Sequence, residues 1–272
     1  MLAARALLAG LGIARLLSGA DVAAGRFAPS YASSTVVHAA SQESGSFAPN
    51  TIVTLYGRDL GFVTRALAAT DIRNGLLPTV LPGTGVQVMI DSVPAPLYFV
   101  SPGQVNLLLP AELKEGSHRL HLSIDGRVGP VIDLGISATS PGLFLQQPGL
   151  AIAVRADGSL VSLANPAQPG DAVILFATGL GTPAGPALRS GEIARAAAAL
   201  LAMDRFAVRF DGRTLPRDRI YYAGLAPGFA GLYQINLRLP DDSGANPEIR
   251  IVAGDVESPA SVRLPVAVRA VP

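Results

Sequence analysis

Three histidines and one adjacent pair of aspartates are the side chains whose types could support metal binding or proton transfer: His38, His118, His121, Asp241 and Asp242. His118 and His121 lie three positions apart in a predicted strand, so they point to opposite faces and are poorly placed to hold one metal ion. No loop of alternating oxygen ligands surrounds the two aspartates, so a solvated turn is favoured over a calcium site. The sequence therefore predicts no metal centre.

Nucleophiles and phosphate-binding loops give equally weak signals. The sequence contains no G-x-S-x-G elbow. The glycine-rich segment TGLGTPAG at 178–185 follows a predicted strand, but it lacks the helix and acidic partner of a dinucleotide site and the lysine of a P-loop. A Ser-His-Asp triad assembled from distant residues stays open as an alternative. We expect no catalytic residue, no cofactor and no enzymatic activity.

A polar pair recurs at two places, as Gln104 and Asn106 and again as Gln234 and Asn236. Such amides could form a polar binding strip, or they could satisfy neighbouring backbone groups. The structural role is favoured because both pairs stand in the same local setting. Tryptophan is absent and tyrosine is sparse. This weakens a carbohydrate-binding interpretation, which would rely on flat aromatic faces.

An internal repeat organises the chain and must position all of these residues. APNTIVTLYGRDLG at 48–61 matches QPGDAVILFATGLG at 168–181 with an offset of 120. The same offset carries VQVMID at 86–91 onto FAVRFD at 206–211, and QVNLLLP at 104–110 matches QINLRLP at 234–240 with an offset of 130. Three blocks in the same order indicate a duplication, with a boundary near residue 140.

Each copy is predicted to be a set of short strands. In the first copy GVQVMID, QVNLLLP and HRLHLSID alternate apolar and polar residues, and turn residues separate them every 8 to 12 positions. This spacing is typical of an antiparallel sandwich. Residues 62–77 could hold a short helix or an irregular loop, and residues 151–167 are expected to add a hairpin that turns at Asp157 and Gly158. We predict an all-β chain of two tandem immunoglobulin-like antiparallel β-sandwiches, at 35–140 and 141–272.

Composition and charge limit the function classes. The 29 glycines and 22 prolines suit many turns, and the 15% of charged residues and net charge of +1 give no electrostatic footprint for nucleic acid. Residues 1–20 resemble a signal peptide that would leave Asp21 as the mature start. The alternatives are an amphipathic helix or a misassigned start codon. Residues 21–34 are predicted to be a flexible leader, and no segment is long and apolar enough to span a bilayer.

Five segments resemble the Solibacter-type paralogous C-terminal domain family of acidobacterial proteins: APNTIVTLYGRDL, LPTVLPGTGVQVMIDSVPAPLYFVSPGQVNLLLP, ADGSLVSLANPAQPGD, ATGLG and AGLAPGFAGLYQINLRLP. The similarity covers about residues 36–268. The resemblance implies sandwiches of the IPT/TIG variety and a place at the end of larger secreted proteins, and it implies no activity. The alanine-rich stretch at 193–203 departs from the family because it looks more helical.

The sequence thus favours a secreted or cell-surface structural and interaction module without catalysis, whose partner is an unknown protein or cell-envelope component. The alternative is a carbohydrate- or surface-ligand-binding module. Two sandwiches joined near Pro141 are expected to form an elongated rod that carries recognition on its end loops, at 57–61, 101–103, 178–185 and 225–231. The tip formed by Ala226, Pro227, Gly228 and Phe229 either anchors a partner or packs on the neighbouring domain, and packing is favoured because exposed phenylalanine promotes aggregation.

Overall fold

The computed structural model of the chain describes residues 28–267 and is all-β, as predicted. In the described residues the only helices are four single turns of 3-10 helix, at Ser33–Thr35, Ala69–Asp71, Met203–Arg205 and Arg217–Arg219. The described part of the first repeat contains ten strands: β1 Val36–His38, β2 Ile52–Tyr56, β3 Arg65–Ala66, β4 Val86–Ile90, β5 Val93–Pro94, β6 Leu97–Val100, β7 Gln104–Leu108, β8 Gly116–Ile124, β9 Arg127–Val128 and β10 Ile132–Ile136.

The described part of the second repeat contains thirteen strands: β11 Gly142–Leu143, β12 Leu145–Gln147, β13 Leu150–Ala151, β14 Ala153–Arg155, β15 Leu160–Val161, β16 Ala172–Thr178, β17 Ala198–Ala199, β18 Phe206–Phe210, β19 Arg213–Thr214, β20 Ile220–Leu225, β21 Tyr233–Arg238, β22 Ile249–Ala253 and β23 Val256–Glu257. Strands β14 and β15 form the hairpin expected around Asp157 and Gly158. Gly158 has a φ of +83°, a conformation that favours glycine.

Two antiparallel sheets form the first repeat. Sheet A has the order β1-β2-β7-β6-β3, and sheet B has the order β10-β8-β4-β5 with β9 paired to β8. Alternate residues of both sheets meet in one apolar core, to which sheet A gives Val105 and Leu107 and sheet B gives Val88 and Leu122. Full burial of such a side chain stabilises a fold by about 1.5–3 kcal/mol, so this interior holds the two sheets together.

The second repeat is built in the same way. Sheet C has the order β15-β14-β16-β21-β20-β17 with β11 paired to β16, and sheet D has the order β19-β18-β22-β23. Strands β12 and β13 form a separate pair. Ile235 and Leu237 of sheet C share a core with Val208 and Ile251 of sheet D. The predicted inward faces of β7 and β21 are therefore correct.

The strand order of the first repeat recurs in the second. The order β1-β2-β7-β6-β3 corresponds to β14-β16-β21-β20-β17, so QVNLLLP and QINLRLP occupy the same central position of their sheets. The pairings β4–β8 and β18–β22 correspond as well. Both repeats also carry a register shift at the same place, between Leu97 and Phe99 in β6 and between Ile220 and Tyr222 in β20. The domain boundary near residue 140 stays a prediction.

Two segments differ from the sequence-based expectation. Of the predicted leader, residues 30–34 belong to the fold: Ser30 bridges to Arg58, and the Tyr31 hydroxyl donates to the Pro130 carbonyl at 2.7 Å and accepts the Leu122 amide at 2.6 Å. The rest of the leader up to residue 27, and the predicted signal peptide, lie outside the described residues. Residues 193–203 form no α-helix: Ala198 and Ala199 form β17, which pairs with β20 at the sheet edge, so tertiary hydrogen bonds override the helix propensity of this segment.

A third apolar cluster joins the repeats. It contains Ile52, Tyr98 and Leu108 from the outer face of sheet A, together with Phe176 from the outer face of sheet C and Leu232 from the loop before β21. The segments beside the sheets add backbone pairing, since the Leu77 amide donates to Gly191 and the Ile193 amide donates to Gly75. The repeats therefore contact each other far beyond the linker at residue 141.

Candidate functional site: the contact between the repeats

The four predicted recognition loops come together in two pairs. The loops at 57–61 and 101–103 are joined by the amides of Gly57 and Leu60, which donate to the carbonyls of Gly103 and Pro102. The loops at 178–185 and 225–231 are joined by the Thr178 hydroxyl, which donates to the Gly231 carbonyl at 2.7 Å. The second pair lies at the contact between the repeats, so these loops stabilise the packing of one repeat on the other.

The predicted interaction tip is divided between buried and exposed residues. Ala226 is buried and Phe229 is partly buried against the cluster between the repeats, whereas Pro227 and Gly228 are exposed. The loop is fixed by the Tyr98 hydroxyl, which donates to the Ala230 carbonyl at 2.6 Å. The structure thus shows packing within the chain for Ala226 and Phe229, and a docking role of the tip stays a prediction.

Thr178 and Gly231 both stabilise the contact between the repeats. Thr178, at the end of β16, is fully buried and its hydroxyl accepts the Ile52 amide at 3.1 Å, so one side chain bonds to both repeats. Gly231 has a φ of +63°, and a side chain there would collide with Leu108. Glycine is therefore required both for the turn and for the close approach of the first repeat.

His38, one of the three histidines named above, is buried, which the sequence did not predict. It lies at the end of β1, its Nδ1 accepts the amides of Ala40 and Ser41 at 3.2 and 3.3 Å, and its ring covers the Cα of Gly142. Burial lowers the pKa of His38 to about 4, against smaller raising contributions from the backbone of Ser140 and Thr178. The imidazole is therefore neutral at pH 7. One signal was available: His38 shares a strand face with Val36, which lies in the core.

His38 Nε2 is buried and has no hydrogen-bond partner in the described residues. A neutral imidazole tolerates this arrangement with the proton on Nε2, because Nδ1 is then the acceptor that the two amides require. A protonated ring would place a second N–H against those amides and would carry a charge in an apolar surrounding. His38 is thus a structural residue of the contact.

The first polar pair lies on the outer face of sheet A. Gln104 and Asn106 are buried on this face, and the Gln104 side-chain amide donates to Asn106 Oδ1 at 2.8 Å. This supports the structural role predicted for the first pair. In the second repeat Gln234 and Asn236 are only partly buried, and Asn236 Oδ1 has no hydrogen-bond partner within residues 28–267. The two pairs therefore differ in their surroundings.

A cleft of about 180 Å³ opens between the repeats, lined by Pro49 and Asn50 of the first and by Thr182, Leu188 and Tyr233 of the second. The Tyr233 hydroxyl is buried and donates to the Gly181 carbonyl at 2.6 Å. Burial raises the pKa of Tyr233 to about 12, so this hydroxyl is protonated at pH 7. The cleft is small beside the volumes of about 300–1,000 Å³ typical of ligand pockets, and its buried hydroxyl is already engaged.

Three of the other candidates for chemistry, His118, Asp241 and Asp242, already form polar contacts. His118 Nδ1 lies 2.7 Å from Asp91 Oδ2, and its Nε2 lies 2.7 Å from the Lys114 carbonyl. These contacts raise the pKa of His118. A catalytic base needs one nitrogen directed at a nucleophile, and here a backbone carbonyl occupies that direction. Asp241 and Asp242 form ion pairs with Arg219 and Arg213, as expected for a surface turn.

Within residues 28–267 no three histidine or acidic side chains lie close enough together to hold a metal ion. The same residues include no helix with the length and hydrophobicity needed to cross a bilayer.

Comparison with known proteins gives a likeness of architecture alone. No protein-family model and no curated protein sequence matches the chain. Among solved structures, the SGBP-B protein of the Bacteroides ovatus mixed-linkage glucan utilization locus, in complex with a mixed-linkage heptasaccharide, has 11% identity and a TM-score of 0.32 over 91% of this chain and 46% of its own. The chain thus spans less than half of that protein.

Two further structures are similar at the same level. Domains 5–6 of the S-layer protein SbsC have 9% identity and a TM-score of 0.30, over 89% of this chain and all of theirs. The tandem Ig repeats of Dlar have 13% identity and a TM-score of 0.22, over 82% of this chain and 92% of theirs. Values this low transfer no function to the chain. The resemblance to the Solibacter-type family stays a prediction.

Proposed function

We propose that the chain is a secreted or cell-surface interaction module without catalytic activity. The observation that carries this proposal is the contact between the repeats, where Tyr98 and Thr178 lock the loop at 225–231 against the outer face of sheet A. Rigid sheets whose connecting loop is held by hydrogen bonds suit a scaffold that presents a constant surface. The engaged nitrogens of His118 support the absence of catalysis.

Export and binding can be tested on the natural protein. If the chain is secreted, mass spectrometry of the protein recovered outside the cytoplasm gives a mature N-terminus near Asp21. The purified chain then binds to the cell envelope of the organism that encodes it. A cytoplasmic product that retains residues 1–20, or a hydrolase or transferase activity abolished by one point mutation, overturns the proposal.

A second function, the binding of a carbohydrate or another surface ligand, is favoured by one observation. Tyr221 is 60% exposed on the second repeat, and it is the most exposed tyrosine of the described residues. An exposed aromatic ring offers the flat apolar face that the sequence alone did not locate.

A further inference from the structure

Tyr221 and Tyr98 occupy the same position in the two repeats. Each follows directly after the inward-facing residue at the start of the register shift, Leu97 in β6 and Ile220 in β20. Opposite the shift lies an asparagine of the central strand, Asn106 or Asn236. The extra residue of a β-bulge is released from the regular alternation, and bulges often redirect a side chain at a binding surface.

The two tyrosines have opposite surroundings. Tyr98 is 6% exposed, because Ile52 and Leu108 beside it form the apolar face on which the loop of the second repeat packs. In the second repeat the positions of Ile52 and Leu108 are taken by Ala172 and Arg238, which pair with each other across β16 and β21. Both are exposed, and the contact with the first repeat lies towards Phe176 at the other end of the same face.

Polar side chains lie on the outer face of β21 and in the turn that follows it. Arg238 Nη2 lies 3.4 Å from Asp241 Oδ1, and Arg219 forms an ion pair with the other oxygen of that carboxylate. The side chains of Arg238 and Asp241 are each about half exposed. Asn236 lies next to Arg238 on the same face of β21, since Ile235 and Leu237 point into the core.

We propose that this face of sheet C, formed by Ala172, Tyr221, Asn236, Arg238 and Asp241, binds a neutral carbohydrate. The inference rests on the second function proposed above, the binding of a carbohydrate or another surface ligand, and it names the class of that ligand. The Tyr221 ring stacks on the apolar face of a sugar, and the planar side chains beside it exchange hydrogen bonds with neighbouring hydroxyl groups. The paired charges of Arg238 and Asp241 favour an uncharged polyol.

The different neighbours of the two tyrosines favour a carbohydrate over a protein loop as the ligand at Tyr221. Where Tyr98 holds a polypeptide loop, its neighbours Ile52 and Leu108 are apolar and the tyrosine hydroxyl bonds to a backbone carbonyl. At Tyr221 the apolar neighbours are missing, so a loop of that kind would bury Arg238 against apolar atoms at a cost in desolvation. A hydroxyl-rich ligand meets no such cost.

The test is affinity electrophoresis of the full chain in native gels that contain β-glucan, galactomannan, arabinoxylan or dextran. The wild-type chain is expected to be retarded by at least one polysaccharide. Tyr221→Ala weakens that retardation by about tenfold or more, because the stacking face is lost. Tyr221→Phe keeps the ring and stays within about threefold of the wild type. The matched control is Tyr56→Ala, which removes a partly exposed tyrosine from the outer face of sheet A; it leaves retardation unchanged.

The outcomes separate this inference from the proposed function. Equal retardation of the wild type and Tyr221→Ala, or no retardation by any of the four polysaccharides, overturns the carbohydrate site. Binding of the chain to isolated cell envelopes that Tyr221→Ala does not alter also overturns the site but leaves the proposed function standing. A chain that a polysaccharide retards through Tyr221 but that binds no envelope contradicts the proposed function and leaves the site standing. Melting curves check that Tyr221→Ala is folded, as its exposed position predicts.

Discussion

Acidification tests the role of His38 most directly. The folded chain keeps this imidazole neutral, with a pKa of about 4 against the ordinary 6.5, because the ring is buried between β1 and the linker at Gly142. In the unfolded chain the same side chain takes up a proton below pH 6.5. Between pH 6.5 and 4 the unfolded state therefore binds more protons than the folded state, and the free energy of unfolding falls as the pH falls.

The magnitude follows from the two pKa values. A difference of one in pKa corresponds to about 1.4 kcal/mol, so full protonation of the unfolded state removes about 3 kcal/mol by pH 4. That is a large part of the 5–15 kcal/mol that stabilises an ordinary domain. No charged side chain is among the causes of the shift, so burial alone sets its direction.

The assay is urea unfolding at pH 7, 5.5 and 4.5, followed by circular dichroism because the chain has no tryptophan. The variant His38→Asn keeps an acceptor near the Nδ1 position for the amides of Ala40 and Ser41 but removes the titration. We expect the variant to be less stable at pH 7 and to lose less stability on acidification than the wild type. The same loss in both proteins would refute the reasoning, since other groups would then account for the pH dependence.

Three further predictions concern packing and hydrogen bonding. Leu237→Ala, in the core of the second repeat, is expected to cost about 2–5 kcal/mol in urea unfolding, whereas Arg238→Ala on the outer face of the same strand stays within about 0.5 kcal/mol; equal effects would mean that the faces are misassigned. Phe229→Ser lowers the melting temperature because the ring packs against the cluster between the repeats, and an unchanged melting temperature would favour a docking role. Thr178→Val leaves the buried Ile52 amide unpaired and costs about 1–3 kcal/mol, measured in the same unfolding assay; a neutral result would show that this bond does not join the repeats.

Local alternation in the sequence determined the strands and their inward faces. Val105 and Leu107 of β7, and Ile235 and Leu237 of β21, are buried as the two-residue period predicts. The repeat of QVNLLLP as QINLRLP predicted that these strands are equivalent, and they hold the same central position in sheets A and C. Each of these features is carried by short segments of the sequence, so a single sequence was enough to predict them.

Local propensity predicts the wrong conformation where a distant part of the chain supplies the hydrogen bonds. Residues 193–203 are rich in alanine and looked helical, but β17 forms there because the edge of β20 offers hydrogen bonds to Ala198 and Ala199. The residues at 30–34 looked like a leader, but Tyr31 reaches the carbonyl of Pro130, 99 positions away. A free sheet edge or a distant hydrogen-bond acceptor outweighs a weak local preference.

The outer faces of the sheets were decided only by the tertiary structure. Tyr98 and Tyr221 follow the same local pattern, yet one is buried and the other exposed. The reason is that Tyr98 meets a loop 132 positions away, at Ala230, and no local pattern encodes so distant a contact. The sequence by itself therefore specified two similar β-sheet repeats, and the packing of one repeat on the other specified which aromatic ring holds the molecule together and which one faces solvent.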